Sequence, residues 1–418
     1  MRVLVLGAGV IGVTSAWYLA EAGHEVTVVD RQPGAGLETS FANGGQVSVS
    51  QAQPWSNPGA PLKILKWLGD ESAPLLFRPM ASLRQWRWGL QFLIECLPTR
   101  TRDNTVQILK LAIYSGQQLK TLRERTGVRY EHLEKGILQL YYDATEFEGA
   151  KAQVELIRRG GLDVQVKTTE QVFEIEPVLA RSAVRPVGAT YAATDESGDA
   201  HLYTRNLAEL CAQRGVQFRY GTRVLAIETS GEGVRGARVQ VEGHAPETLV
   251  ADAVLVCLGC QSPFLLEPLG VRVPVYPVKG YSVTIPTDGY DGAPTVCLTD
   301  EGHKLAISRL GNRLRVAGTA ELNGYDTSIN DVRCGSILAR ARQLFPSGGD
   351  FERAQRWAGL RPATPGNVPA IGSTRVRNLY LNTGHGTLGW TLACGSGKSI
   401  ADIIGGKQPE VGFRFSRG

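Results

Sequence analysis

A chain of 418 residues is longer than one compact core supports, so two domains are expected. Hydrophobic residues make up 43% and charged residues 20%, ordinary for a globular chain, and 49 glycines suit a backbone that closely approaches a ligand. The net charge of +5 is mild and no Lys/Arg run forms a basic arm, which argues against nucleic acid, while no stretch approaches the ~18 apolar residues of a spanning helix.

Residues 2–6 read as a short apolar strand, 10–22 as a helix and 25–30 as a second strand, a βαβ opening. Met1 to Leu6 runs straight into glycine without a basic leader, so no signal peptide is read and a reducing compartment is expected. Residues 39–62 carry no charge and are rich in Gly, Gln, Ser, Asn and Pro; they are either a linker or a neutral wall against a cofactor ring. Four of the seven tryptophans follow between Trp55 and Trp88, interleaved with Lys63, Lys66, Arg78, Arg84 and Arg87. Residues 104–125 predict an amphipathic helix with Leu109, Ala112, Ile113 and Gly116 on one face, 136–142 a strand and 146–159 a helix. A helix at 204–214 leads to strands at 216–220 and 224–228, and 253–258 is a buried strand. Residues 271–320 are strand-rich (278–285, 304–308, 313–317) and read as a separate antiparallel sheet. A helix at 331–345, a strand at 379–382, a glycine loop and a helix to Ile404 complete the chain, with no internal repeat.

The seven cysteines are odd in number and widely spaced, unlike a disulfide framework. Cys257 and Cys260 form a CxxC without a second pair, which reads as packed thiols rather than a zinc or redox site.

Gly7-Ala8-Gly9-Val10-Ile11-Gly12 follows the first strand and opens a helix, and Asp30 closes the second strand at the distance expected of a ribose-binding carboxylate. Glycine lets the backbone approach a pyrophosphate, and the helix N-terminus adds N–H groups and a positive dipole. This predicts a dinucleotide and leaves FAD and NAD open. Gly397-Lys398-Ser399 imitates the end of a phosphate loop, but Leu392 stands where that loop needs glycine. Residues 378–391, a strand followed by Gly384-His385-Gly386 and a helix start, form a second cofactor-approaching loop, which fits an extended FAD better than NAD.

With that pairing the chain resembles the D-amino acid oxidase and glycine oxidase superfamily, and within it the small-subunit type of bacterial D-amino acid dehydrogenase. The resembling motifs are Leu37-Glu38-Thr39-Ser40 with Ala42-Asn43, Tyr276-Pro277-Val278-Lys279-Gly280-Tyr281-Ser282, Trp357-Ala358-Gly359-Leu360-Arg361-Pro362, and Asn382 through Gly397. They span essentially the whole chain in the family's order; one departure is an end soon after Phe413-Arg414-Phe415. The resemblance implies non-covalent FAD, hydride transfer from the α-carbon of a D-amino acid to flavin N5, release of a 2-oxo acid and ammonia, and a quinone acceptor. It implies a peripheral place on the cytoplasmic side of the bacterial inner membrane, or the cytoplasm. An oxygen-using amino acid oxidase and a silent FAD-binding electron-transfer subunit remain as alternatives; Arg361 in its motif argues against the second.

The fold class expected is α/β: a Rossmann-like FAD-binding domain assembled from residues 1–60, 188–270 and 361–418, and a substrate domain from 61–187 and 271–360 with helices and a mixed, largely antiparallel sheet. By the resemblance, Arg361 holds the substrate carboxylate, which a planar guanidinium does with two parallel charge-assisted bonds; the alternative is a structural salt bridge. His385 is a base or, more in keeping with its flanking glycines, a structural hydrogen-bonder. Tyr281 lines the substrate pocket or packs in the core. The candidate cofactor contacts are Gly7, Gly9, Val10, Ile11, Gly12, Asp30, Arg31, Thr39, Ser40, Asn43, Gly44, Gly45, Gln46, Val224 and Gly259. At the second loop they are Gly384, Gly386, Thr387, Leu388, Gly389, Trp390 and Thr391, where the helix dipole would favour negative charge or the glycines merely cap a packing turn. Residues 63–97 are either a membrane-surface segment, with Trp67, Trp86 and Trp88 at headgroup level beside Lys66, Arg84 and Arg87, or an ordinary packed helix.

Overall fold

The computed structural model describes residues 1–413 apart from positions 68, 72, 160 and 232; Arg414 and Phe415 lie outside the described residues. The opening βαβ forms as its pattern dictates. The strand Arg2–Leu6 is buried along Val3 to Leu6, and it pairs in parallel with Glu25–Val29 on one side and Ala253–Val256 on the other. A strand buried on both faces needs a continuous apolar run, and this one has it. Gln217–Arg219, Leu379–Thr383 and Ala370–Ser373 complete a six-stranded sheet drawn from three separated stretches of chain. Its inner helix, Val10–Glu21, is wedged against the helices Gly389–Ile404 and Ala200–Gln213.

The glycines that imitate a phosphate loop have a packing role. A Cβ on Gly397 would lie 3.0 Å from the Thr14 side chain, and one on Gly395 would lie 2.8 Å from Cβ of Ser115. These two positions let the last helix cross both Val10–Glu21 and the long helix Pro98–Thr126 at close range. The long helix starts earlier than its periodicity predicts because Pro98 suits the first helical turn, and it ends at Gly127, whose φ is +65°. Its buried face is centred on Ile108, Leu111, Ala112, Ser115, Leu119 and Leu122 rather than on Leu109 and Ile113.

The second sheet is mixed and nine-stranded. The strand-rich stretch after residue 271 is therefore not separate: Cys297–Asp300 pairs in parallel with Ile137–Tyr141, which pairs with Gly188–Ala192. Residues 188–192 thus lie in this sheet, not with the FAD segment that begins at 188, and the boundary at 361 cuts the continuous strand Gln355–Ala363. One face of the sheet, through Tyr281, Val283 and Ile285, packs on the helix Asp331–Leu344. The other face looks toward the first sheet. Residues 42–44 of the neutral stretch are fixed on that face: Ser282 Oγ donates to the carbonyl of Ala42 (2.7 Å), Ser308 Oγ to that of Gly44 (2.7 Å), and Arg315 to that of Asn43 (3.1 Å).

The helix Leu83–Glu95 turns Gln85 and Trp88 inward, and Trp88 Nε1 donates to the carbonyl of Ala363 at 2.9 Å. Trp88 is therefore a packed residue, not one at headgroup level, and Arg84 is engaged with Glu267 and the Phe264 ring. The outward stripe remains: Leu83, Trp86, Leu90, Leu93 and Ile94 are 45–66% exposed, and Leu62, Leu65 and Leu97 are exposed nearby. Among the described residues, no helix is long and apolar enough to cross a membrane.

Candidate active site

A cavity of about 590 Å³ runs from the fingerprint loop to the strand Gln355–Ala363. Its walls come from all three stretches of the first sheet: Gly7, Gly9, Val10, Ile11, Asp30, Arg31, Thr39 and Ser40 at one end, Val224 and Gly259 beside them, and Gly384, His385, Gly386 and Gly389 at the other. Each fingerprint glycine has a distinct reason. Gly7 has φ +106°, and a Cβ there would meet the Cys257 carbonyl at 2.7 Å; at Gly12 it would meet the Gly7 carbonyl at 1.8 Å. These two serve the turn itself, and Gly12 does not line the cavity. Gly9 is different: a Cβ would find only Ser40 Oγ at 3.6 Å, so the space it leaves is open toward the cavity.

Asp30 braces the loop. One carboxylate oxygen accepts from the Ala8 N–H at 2.6 Å and the other from Gln32 N–H at 2.8 Å. Burial raises its pKa, against the pull of those bonds. Arg31 is held by Glu38 at the rim (2.6 Å). Both helix N-termini at the cavity, Gly9 before Val10–Glu21 and Leu388 before Gly389–Ile404, have no side-chain cap and no acidic residue in the first turn. Ser40 Oγ accepts from the Val10 N–H at 3.1 Å, and the remaining first-turn N–H groups make a cavity between two helix N-termini complementary to a diphosphate.

His385 is 2% exposed, and burial pushes its pKa down to about 3, so it is a neutral imidazole. Its Nε2 has no partner among the described residues, an orphaned buried polar atom on the cavity wall. The open cradle at Gly9, the bracing carboxylate and this atom fit a bound dinucleotide. The other residues expected at the second loop do not line the cavity. Thr387 is exposed, Leu388 and Trp390 are buried, with Trp390 against Tyr203 and Tyr130, and Thr391 Oγ1 accepts from Ser48 N–H at 3.1 Å. Cys257 and Cys260 are free, buried thiols on the cavity wall, and burial raises both pKa values.

A second group of residues lies across the strand Gln355–Ala363. Leu360 and Pro362 line the cavity, and Thr39 Oγ1 ties the two sides by donating to the Leu360 carbonyl at 2.7 Å. Arg361 does not line this cavity. It shares the inward face of the second sheet with Gly280, opposite Val278, and with the loop of Asn43, Gly44, Gly45 and Gln46. Those loop residues are fixed to the sheet: Gly45 N–H donates to Asn43 Oδ1 (3.0 Å), Gln46 Nε2 donates to the Leu298 carbonyl (3.0 Å), and a Cβ on Gly44 would crowd Ala306 at 2.9 Å.

Arg361 is half-buried, forms no ion pair among the described residues, and donates from Nη1 to the Thr319 carbonyl at 2.8 Å. The salt-bridge alternative therefore has no partner carboxylate. Burial, and then the charge of Arg333, push its pKa down to about 10. The Trp55 ring lies 5.9 Å from its guanidinium carbon, and Gly280 leaves the room it occupies, since a Cβ there would fall 2.3 Å from the guanidinium. Tyr281 points to the opposite face, 1% exposed, with its hydroxyl donating to Glu321 at 2.5 Å. It is a packing residue, away from the cavity. Sequence reasoning gave no role to Trp55 or Thr319; Gly280, inside a quoted motif, was the available signal for a large side chain pressed against the strand.

The family model described as DAO, FAD dependent oxidoreductase, matches residues 2–403. A D-amino acid dehydrogenase of Dechloromonas aromatica (strain RCB) is 55% identical over 417 residues, covering 100% of both chains. One of Paramagnetospirillum magneticum (strain ATCC 700264 / AMB-1) is 51% identical over 412 residues, 98% of this chain and 96% of that one. Among solved structures, glycine oxidase from Bacillus cereus ATCC 14579 superposes with a TM-score of 0.73 at 26% identity, over 97% of each chain.

Proposed function

Because this chain belongs to the DAO family of FAD-dependent oxidoreductases, we propose that it oxidises D-amino acids to 2-oxo acids and ammonia, with Arg361 anchoring the substrate carboxylate and a quinone accepting the electrons. The observation that carries the site assignment is Arg361 itself: a half-buried cation without a carboxylate partner among the described residues, beside an exposed aromatic ring. A buried cation without a counter-ion is a cost to the fold, and a carboxylate ligand relieves it.

FAD, when bound, supplies the two-electron acceptor for the α-hydrogen. The fingerprint glycines, Asp30 and the helix N-terminus at Gly9 would hold its diphosphate and ribose. Arg361 orients the substrate by a planar two-point contact, which limits the poses of the α-carbon. His385, neutral throughout the physiological range, neither adds a competing positive charge nor serves as a proton store; it donates or accepts one hydrogen bond. The α-carbon loses a hydride, the amine proton passes to solvent, and water hydrolyses the resulting imine. The helix N-terminus at Gly389 favours negative charge at its end of the cavity.

The acceptor and its location follow the outward stripe of Leu83–Glu95. Residues 60–102 hold seven Lys/Arg against three Asp/Glu, which accounts for +4 of the chain's +5. An apolar stripe flanked by exposed Arg87, Arg100 and Arg102 suits an anionic bilayer surface, where a quinone is dissolved. Trp88 of the same helix bonds the carbonyl of Ala363, two residues from Arg361, so this surface adjoins the substrate site.

Anaerobic mixing of the holoenzyme with D- or L-alanine, followed by a soluble quinone analogue and then by air, tests the proposal. Bleaching by the D form with fast recovery by quinone is expected. Rapid recovery in air would replace the quinone by oxygen, and failure of every D-amino acid to bleach would refute the reading.

A further inference from the structure

The sheet behind Arg361 contains a buried charge cluster that the reaction does not use. Lys279, Tyr281, Glu321 and Arg333 are each 1% exposed. Glu321 is the centre: it accepts from the Tyr281 hydroxyl (2.5 Å) and from Arg78 Nε (2.8 Å), and lies 3.7 Å from Lys279 Nζ and 4.0 Å from Arg333 Nε. Lys279 is also held by Asp326 at 2.8 Å. One buried carboxylate thus takes two hydrogen bonds and faces two further buried cations; Lys279 keeps Asp326 and Arg78 keeps Glu71, so losing Glu321 would leave Arg333 without a carboxylate.

This cluster and Arg361 are on opposite faces of the same strands, and the backbone between them is irregular. Lys279 pairs with Glu321 and Tyr281 with Gly318, so Gly280 alone stands opposite both Thr319 and Ala320. The extra residue is a β-bulge, a device that re-aims groups beside functional sites. Thr319 occupies it with φ +56°, a left-handed conformation that a β-branched residue avoids. Its carbonyl accepts the Arg361 Nη1 bond. Such a conformation persists only when its surroundings over-determine it. Here the next two residues are pinned: Ala320 N–H donates to the Pro74 carbonyl (2.7 Å), the Ala320 carbonyl accepts from Arg333 (3.2 Å), and Glu321 is gripped by the cluster.

We propose that Glu321 and Tyr281 are positioning residues that hold the strained Thr319 turn, and through its carbonyl fix the guanidinium of Arg361 for a carboxylate. The inference rests on the reading of Arg361 as the carboxylate anchor. Neither residue touches substrate; they act by setting which rotamer of Arg361 the site offers. The cluster's other function, charge balance in the sheet, would be insensitive to what Arg361 binds.

The test is calorimetric titration of the holoenzyme with benzoate, a carboxylate with no α-hydrogen, so that binding is read apart from turnover. Tyr281→Phe removes one hydroxyl and leaves the ring packing, and Glu321→Gln removes the charge at constant shape. Both are expected to weaken benzoate by about tenfold, with bound FAD unchanged. In an Arg361→Lys background, which lacks the fork that Thr319 orients, neither substitution should weaken benzoate further, because residues acting through one another are not additive. Should Glu321→Gln fold poorly, Tyr281→Phe alone decides. Benzoate affinity within twofold of the parent in Tyr281→Phe would overturn the proposal, as would an undiminished loss in the Arg361→Lys background. Bleaching by D-alanine in the same preparations reports separately on the proposed reaction.

Discussion

Replacing Arg361 by alanine removes a group whose surroundings allow the loss to be worked out. A charge-assisted hydrogen bond is worth roughly 1.5–3 kcal/mol, and a guanidinium offers a carboxylate two. Because Nη1 already serves the Thr319 carbonyl, the substrate's share is about 3–5 kcal/mol. At about 1.36 kcal/mol per decade, kcat/KM should fall by roughly two to nearly four orders of magnitude. The fold should not suffer equally. The folded-state pKa of Arg361 is lowered, so at all pH values below about 10 the charged side chain opposes folding, and removing it should leave the melting temperature unchanged or raised. The assay is steady-state reduction of a soluble acceptor with D-alanine, alongside thermal unfolding and FAD content. Arg361→Lys, which restores the charge without the fork, should fall between the two. A kcat/KM for Arg361→Ala within about threefold of the parent, with normal FAD, would refute the anchoring role.

The two kinds of fingerprint glycine should separate experimentally. Gly9→Ala meets only an ordinary contact in the protein and should leave apoprotein melting nearly unchanged while weakening FAD by at least about tenfold, whereas Gly7→Ala, blocked by the Cys257 carbonyl, should damage the fold itself; equilibrium FAD titration and apoprotein melting check both. His385 has its folded pKa lowered to about 3 by burial, so the unfolded chain takes up its proton first: stability should decline as pH falls from about 6.5 toward 3, and His385→Asn should flatten that decline in urea titrations. Leu90→Glu with Leu93→Glu, both on the exposed stripe, should abolish co-sedimentation with phosphatidylglycerol vesicles and leave D-alanine turnover with a soluble acceptor intact; unchanged sedimentation would remove the bilayer from the account.

The parts legible in the sequence were those carried by local pattern. The apolar run before Gly7, the fingerprint and Asp30 sit within thirty residues, and their chemistry follows from spacing. Arg361 came from a motif, and its unpaired state could come only from the assembled fold. The joining of Ile137–Tyr141 to Cys297–Asp300 has no local signal, because strand periodicity says which face is buried and not which partner is alongside. The helix Leu83–Glu95 was ambiguous for a different reason. It carries apolar residues on both sides, Trp88 and Phe92 inward, Leu83, Trp86, Leu90 and Leu93 outward, so composition alone left open which side Trp88 takes. Thr319 was invisible, since a β-branched residue in a strand-like run gives no hint of a left-handed turn.

The central strand Arg2–Leu6 takes its neighbour from residues 253–256, and the far wall of the cavity is completed only by Gly384 to Gly389. During synthesis the first glycine loop emerges early and then waits for nearly the whole chain before its opposite wall exists. Cofactor capture is therefore expected to wait for the last stretch of the cavity, and a ribosome-stalled chain ending before residue 370 should retain no FAD once the free cofactor is removed. The same order of assembly keeps long-range strand edges unpaired while the chain grows, which makes FAD supply a determinant of how much of the protein reaches its final form rather than only of how active it is.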